Sequence, residues 1–217
     1  MSQIDQVEQI IMEKSLLKHP FYQMWSKGEL NQYEISGYSK EYFQLVKIIP
    51  ELVRSTGLKT SNPDAKRVIE GHAREEEQHI ELWRRFATSL GISRSELDNY
   101  SGSAKTREAV SSLLDLESRS TFGEAVAALY AFEWELPKIS KSKLDGLAKF
   151  YGLTSTDATI YFETHCEADV RHAATWREFL PGENPGDVAR AATESIDAQN
   201  RLLDSVMESY VPAKACA

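Results

Sequence analysis

The stretch His165-Cys166-Glu167-Ala168-Asp169-Val170-Arg171-His172 decides how this chain is read. Taken as helix, it sets His165, Asp169 and His172 at i, i+4 and i+7, within about 60° of one another around the axis. Two imidazoles and a carboxylate on one stripe make half of a metal site. Glu76-Glu77-Gln78-His79 offers the other half, with Glu76 and His79 one turn apart. Glu133 adds an acid between Phe132 and Trp134 in an otherwise apolar run. A carboxylate in such company is costly unless it is paired or ligating. The competing reading turns Glu133 outward to solvent together with Glu135, as most acids are turned.

Outward from these two segments, apolar positions recur at helical spacing and no run alternates as a strand would. Residues 4–17 form a first amphipathic helix, interrupted by His19-Pro20 and followed by the aromatic turn Phe21-Tyr22-Gln23-Met24-Trp25. Asn31 with Glu34 three residues on caps a long helix that bends or ends at Pro50. Asn62-Pro63 opens the helix of Glu76 and His79, which stops at Gly91. Residues 93–102 read as a polar surface loop, 105–117 and 122–136 as helices, and Pro137 as a break. A short basic helix over 141–151 closes at Gly152. Ser155 or Thr156 caps the helix of His165 to His172, which ends before Pro181-Gly182. A last helix runs from about Gly186 to Tyr210. The expected fold is all-α, one domain over residues 1–217, a bundle of seven or eight helices.

The 217 residues, 41% hydrophobic and 27% charged, suit one globular domain with a real core. A formal charge of −8 without a basic stripe argues against nucleic acid as a partner. No apolar run is long enough for a membrane span, and Met1-Ser2-Gln3-Ile4-Asp5 does not resemble a signal peptide. Two cysteines make no disulfide framework, so a cytoplasmic setting is expected. Cys216 falls in the tail, and Cys166 points about 100° away from the metal stripe.

Di-metal carboxylate proteins place acid-x-x-His pairs on two helices of a bundle and further acids on facing ones. This chain has two such pairs, Glu76…His79 and Asp169…His172, with His165 and Glu133 beside them. Three carboxylates and three histidines would offset most of the charge of two divalent ions and leave positions for oxygen or water. Mixed imidazole and carboxylate ligation suits iron or manganese better than a structural zinc. His72, one heptad before His79, reads as a core or rim histidine. Glu75, Glu77 and Glu167 read as solvated faces. A metal-free bundle that binds a cofactor or a protein is the competing class.

Three segments carry a resemblance: His79-Ile80-Glu81-Leu82-Trp83, Val126-Ala127-Ala128-Leu129-Tyr130-Ala131-Phe132-Glu133, and His165 through Ala173. They resemble the chlamydial death-domain-associating protein (CADD) family of haem-oxygenase-like di-metal oxidases, and Phe21-Tyr22 through Leu30 extends the likeness over nearly the whole chain. The resemblance implies an oxygen-dependent 4-aminobenzoate synthase serving folate synthesis, relying on O2 and an external reductant. Two divalent ions, Fe/Fe or Fe/Mn, would be held by Glu76, His79, Glu133, His165, Asp169 and His172. It further implies that the aromatic ring comes from the chain's own Tyr22 and the amine from Lys143. Tyr38 and Tyr42 are reserve radical candidates. The family has about one helical turn more between its first glutamate ligand and the next histidine, so Glu75 stays open as the alternative to Glu76. Related folds pair into dimers, which leaves a homodimer as an open expectation. An unrelated diffusible substrate in the same cavity is the second reading.

Overall fold

The computed structural model describes residues 2–180 and 184–211. The helix of His165 to His172 ends at Phe179, before Pro181-Gly182 as expected, and the tail holding Cys216 lies outside the described residues. The described residues contain helices and no strand: α1 (Gln3–Glu13), α2 (Pro20–Lys27), α3 (Gln32–Val46), α4 (Ile49–Leu58), α5 (Pro63–Ser89), α6 (Arg94–Asn99), α7 (Ala104–Arg119), α8 (Phe122–Glu133), α9 (Leu136–Gly146), α10 (Thr156–Phe179) and α11 (Pro185–Tyr210). These α-helical segments exceed the expected seven or eight because several runs are subdivided.

Local chemistry sets most boundaries. Asn31 Oδ1 accepts from Glu34 N at 3.0 Å, and the Glu34 carboxylate accepts from Asn31 N at 2.7 Å, closing the capping box that opens α3. Asn62 caps α5 through two backbone amides, with Pro63 in the first turn. The first helix stops at Glu13, short of Leu17, because the Ser15 hydroxyl caps a separate 3₁₀ turn over Leu16–Lys18 and donates to Glu135. Pro50 does not merely bend α3; it sits in the first turn of the separate helix α4. The expected loop 93–102 contains α6, capped by Ser93. The run 122–136 breaks earlier than Leu136, at Glu133, and Pro137 opens α9. The segment expected as a helix over 141–151 is therefore the second half of α9 and a π-turn, closed by Gly152 at φ 64°.

α10 lies against α5, α8 and α9, and α11 lies against α7, α8 and α3. Helix α8 is apolar on nearly all sides, as a helix wrapped by neighbours must be. Between α2, α3, α5 and α10 the core is aromatic: Tyr42 stacks on Trp83 at 5.0 Å, and Phe21 on Tyr38 at 4.7 Å. Trp83 Nε1 donates to Ser39 O, locking α5 to α3. Gly146 lets α9 press against the Trp25 indole, where any Cβ would collide, and Trp25 Nε1 donates to Lys143 O. That contact fixes the height of Lys143 in the core. No helix among the described residues is long and apolar enough to cross a membrane.

Candidate metal centre

Three helices converge on one buried spot. α5 brings Glu76 and His79, α8 brings its last residue Glu133, and α10 brings His165, Asp169 and His172. All six side chains are buried. Glu76 is the hub: Oε2 lies 3.1 Å from His79 Nδ1 and Oε1 lies 3.4 Å from His172 Nδ1. His172 Nδ1 also lies 3.7 Å from Glu133 Oε2 and 3.9 Å from Asp169 Oδ1. The ligand atoms fall into two sets, Glu76–His79–His165 and Glu76–Glu133–His172, each within 4.8 Å of one another. Glu76 belongs to both and would be shared by two ions if both sets were filled. Asp169 flanks the second set.

Orphaned atoms at this spot test whether ions fit. His79 Nδ1, His172 Nδ1, Glu133 Oε1 and Asp169 Oδ2 are buried and make no hydrogen bond, despite the short separations. An unsatisfied buried polar atom costs about 1–3 kcal/mol. Four of them on one spot are explained if cations complete the set, and the nitrogen and carboxylate donors match two divalent ions.

The electrostatics agree. Burial, reinforced by neighbouring carboxylates, pushes Glu133 and Asp169 well above the ordinary carboxyl range. Burial acts on Glu76 in the same direction, but His79, His165 and His172 outweigh it, and its carboxyl lies below its usual value. Burial also drops His165 to about 3 and lowers His172. Neutral imidazoles are what metal ligation requires.

Partners outside the ligand set fix the ring orientations. His165 Nδ1 faces Tyr161 O at 2.7 Å; a carbonyl only accepts, so Nδ1 carries the proton and Nε2 turns to the centre. His172 is reversed: Nε2 contacts Glu75 Oε2 at 3.3 Å, and Nδ1 turns inward. Glu75 is itself gripped by both guanidinium nitrogens of Arg171. Glu75 keeps 38% of its side chain exposed, in line with the expected solvated face, but its carboxylate is engaged by His172 and Arg171. It lies outside both candidate sets, and both of them include Glu76. Trp176 Nε1 donates to Glu133 Oε2, so Glu133 faces the core and not solvent. Glu135 is buried as well, accepting from Ser15 Oγ and Leu16 N. His72 stacks on His172 at 4.1 Å as a rim residue. Cys166 Sγ lies 3.8 Å from Pro137 O, off the stripe.

Beside the centre is a cavity with room for about one water, lined by Tyr42, Ile49, Phe132, Tyr161, Asp169 and the ligands Glu76 and His165. Behind Tyr42 lies Tyr38, ring centroids 5.3 Å apart, and the Tyr38 hydroxyl is 3.5 Å from that of Tyr22. Lys143 Nζ donates to Tyr38 OH and sits 5.4 Å from the Tyr22 ring. Burial alone drops its ammonium to about 7. Tyr161 escaped the sequence reading, although its place four residues before His165 puts it on the same stripe.

The sequence profile of the TENA/THI-4/PQQC family matches residues 4–209. This chain belongs to the TENA/THI-4/PQQC family. Within it, the chain is 32% identical to a protein of Chlamydia muridarum named 4-aminobenzoate synthase, covering 100% of this chain and 93% of that one. A domain of unknown function from Shewanella denitrificans with a haem-oxygenase-like fold superposes with a TM-score of 0.83 at 17% identity, over 97% of this chain and 94% of its own. A CADD-like protein of unknown function from Nostoc punctiforme superposes at 0.70 with 19% identity, over 96% and 97%. The all-α haem-oxygenase-like fold of this family member is thereby established, along with the expected family resemblance.

Proposed function

We propose that this protein is a 4-aminobenzoate synthase acting as an O2-dependent di-metal oxidase on its own side chains. Tyr22 supplies the aromatic ring, Lys143 supplies the nitrogen, and an external reductant supplies electrons. Glu76, His79, Glu133, His165, Asp169 and His172 would hold two ions, Fe/Fe or Fe/Mn. When bound, such a pair supplies the oxidising power of O2 that no acid–base group could provide.

One observation carries the reading: Lys143 is a fully buried lysine with no acid partner among the described residues, joined through Tyr38 to Tyr22. Burying an ammonium without a counter-charge is expensive, and packing alone would favour Met or Leu there. At neutral pH a large share of Lys143 is the free amine, the form that can act as a nucleophile. The Tyr38 hydroxyl holds that amine beside the Tyr22 ring, and the surrounding Phe21, Trp25 and Trp83 rings exclude water. Tyr42 and Tyr38 bridge the space between the ligand-lined cavity and Tyr22, a route for moving an oxidising equivalent from ring to ring. The relatives named 4-aminobenzoate synthase, matched over 93–96% of their length, support the same assignment.

The test is peptide mass spectrometry of iron- or iron/manganese-loaded protein before and after exposure to O2 and reductant. The expected result is a mass loss on the peptide of Tyr22, a change on the peptide of Lys143, and ¹⁵N in the product when lysine is labelled. Product released while Tyr22 stays intact overturns the self-supplied ring and leaves oxidation of a diffusible substrate.

A further inference from the structure

Between α4, α7, α8 and α11 lies a second cavity, about 30 Å³, which no step above uses. Its walls are Ile49, Leu52, Leu113, Leu116, Leu129 and Phe132, with Ala125 and Ala128 filling in. The two hydroxyls that reach it are both engaged elsewhere. Thr56 Oγ1 donates to Leu52 O at 2.9 Å, and Ser195 Oγ donates to Ala128 O at 2.8 Å. The polar side chain left at its edge is half-buried Glu117, 3.2 Å from Lys59 Nζ. A water in the depth of this space would find almost no partner, and apolar cavities of this kind stay dry and take apolar guests. The volume is that of about two water-sized bodies, the size class of a diatomic gas.

Its position gives the cavity a purpose. Ile49 and Phe132 line it on one face and line the ligand cavity of Glu76, His165 and Asp169 on the other. Two apolar side chains therefore partition a dry pocket from the metal centre, and Phe132 directly precedes the ligand position Glu133. We propose that this pocket is the dioxygen site and delivery path of the enzyme, running from the Glu117–Lys59 edge past Ile49 and Phe132 to the ligand cavity. The assignment rests on the oxidase reading above. An apolar path suits O2, which gains from leaving water, and it resists water, protons and charged reductants that would quench an oxidant in the core.

Crystals of the full chain pressurised with xenon, and ¹²⁹Xe exchange in solution, test the cavity without metal or turnover. Xenon is expected between Leu113, Leu129 and Phe132. Two variants fill the space from different helices, Leu113→Phe on α7 and Ala125→Leu on α8, so that one folding failure does not end the test. Each should lose xenon, retain the wild-type metal content, and show single-turnover rates that fall severalfold at low O2 and converge on wild type at high O2 pressure. A folded, metal-loaded variant with unchanged oxygen dependence overturns the path while leaving the oxidase reading intact. Absence of xenon from the wild-type cavity also overturns the path. Xenon uptake by a wild type that consumes no O2 when loaded with iron or manganese overturns the oxidase reading, and the delivery role falls with it.

Discussion

Lys143 Nζ donates to the hydroxyl of Tyr38 at a depth where neither residue touches solvent. The lysine stands on α9 and the tyrosine on α3, 105 residues apart in the chain. Around them lie the rings of Tyr22, Tyr42, Trp83 and Phe162, each within 5.8 Å of the ammonium. The π-faces recover part of the lost hydration of the cation, and burial still wins, pushing the lysine down to about 7.

That burial makes stability depend on pH in a definite direction. Between about 7 and the usual lysine value of 10.5 the unfolded chain holds a proton on Lys143 that the folded chain has released. Stability therefore rises with pH across this window, and the penalty is fully present below it. Lys143→Met should stabilise the protein at pH 7 by on the order of 3 kcal/mol and remove this part of the slope. Denaturant unfolding at several pH values measures both, and a Met variant with the wild-type slope would refute the buried free amine.

Metal content should follow the shared ligand. Glu76→Ala removes the one carboxylate common to both ligand sets and is expected to abolish binding of both ions, whereas Asp169→Asn should weaken chiefly the His172 side. Elemental analysis of protein purified without chelator gives the stoichiometry, expected near two in the wild type. Loading should also raise the melting temperature, since the ions bind the folded chain. Equal losses in the two variants would show that Glu76 does not serve both sets.

In the metal-free protein, Glu133 and Asp169 retain protons that the unfolded chain gives up. Their contribution to stability therefore falls as pH rises above the ordinary carboxyl range, opposite in sign to that of Lys143. Glu133→Gln should relieve this loss, so its advantage over wild type grows as pH rises above the ordinary carboxyl range. Chemical denaturation of chelator-treated protein reads the difference. A constant offset would mean that Glu133 is already ionised in the fold.

Glu75 is expected to matter without touching an ion. Its carboxylate fixes the His172 ring through Nε2, and Arg171 holds it there. Glu75→Gln should lower metal affinity by about 10–100-fold, the usual effect of losing such a partner. Competition with a coloured chelator measures this directly, and unchanged far-UV circular dichroism would show that the fold survives. An affinity equal to wild type would reduce Glu75 to a surface acid.

Tyr38→Phe separates positioning from supply. It removes the acceptor of the Lys143 hydrogen bond and the neighbour of the Tyr22 hydroxyl, yet leaves the Tyr22 ring in place. Product yield should fall by about tenfold or more, a loss of at least 1.4 kcal/mol of positioning. Tyr22→Phe should abolish product altogether. Sustained yield from Tyr22→Phe would favour a diffusible substrate.

The metal stripe was legible in the sequence because it is a local property. Helical periodicity alone aligns His165, Asp169 and His172, and pairs Glu76 with His79. Caps such as Asn31 with Glu34, and Asn62 before Pro63, are equally local, so the entrances to α3 and α5 could be read directly. Glu133 was legible through the cost of an acid among apolar neighbours. Which faces meet depends on contacts between helices distant in the chain. Glu75 and Glu76 are adjacent in sequence, but packing against α10 buries one among the ligands and turns the other to His172 and Arg171. Nothing local marks Lys143 as buried among the lysines of α9; the close approach of α9 to Trp25 does that. Periodicity and capping specify an all-α scaffold carrying two halves of a candidate ligand set. Long-range packing determined their union around Glu76, the dry pocket behind Phe132, and the lysine held against Tyr38, because burial is a property of neighbouring helices and not of the residue that carries the charge.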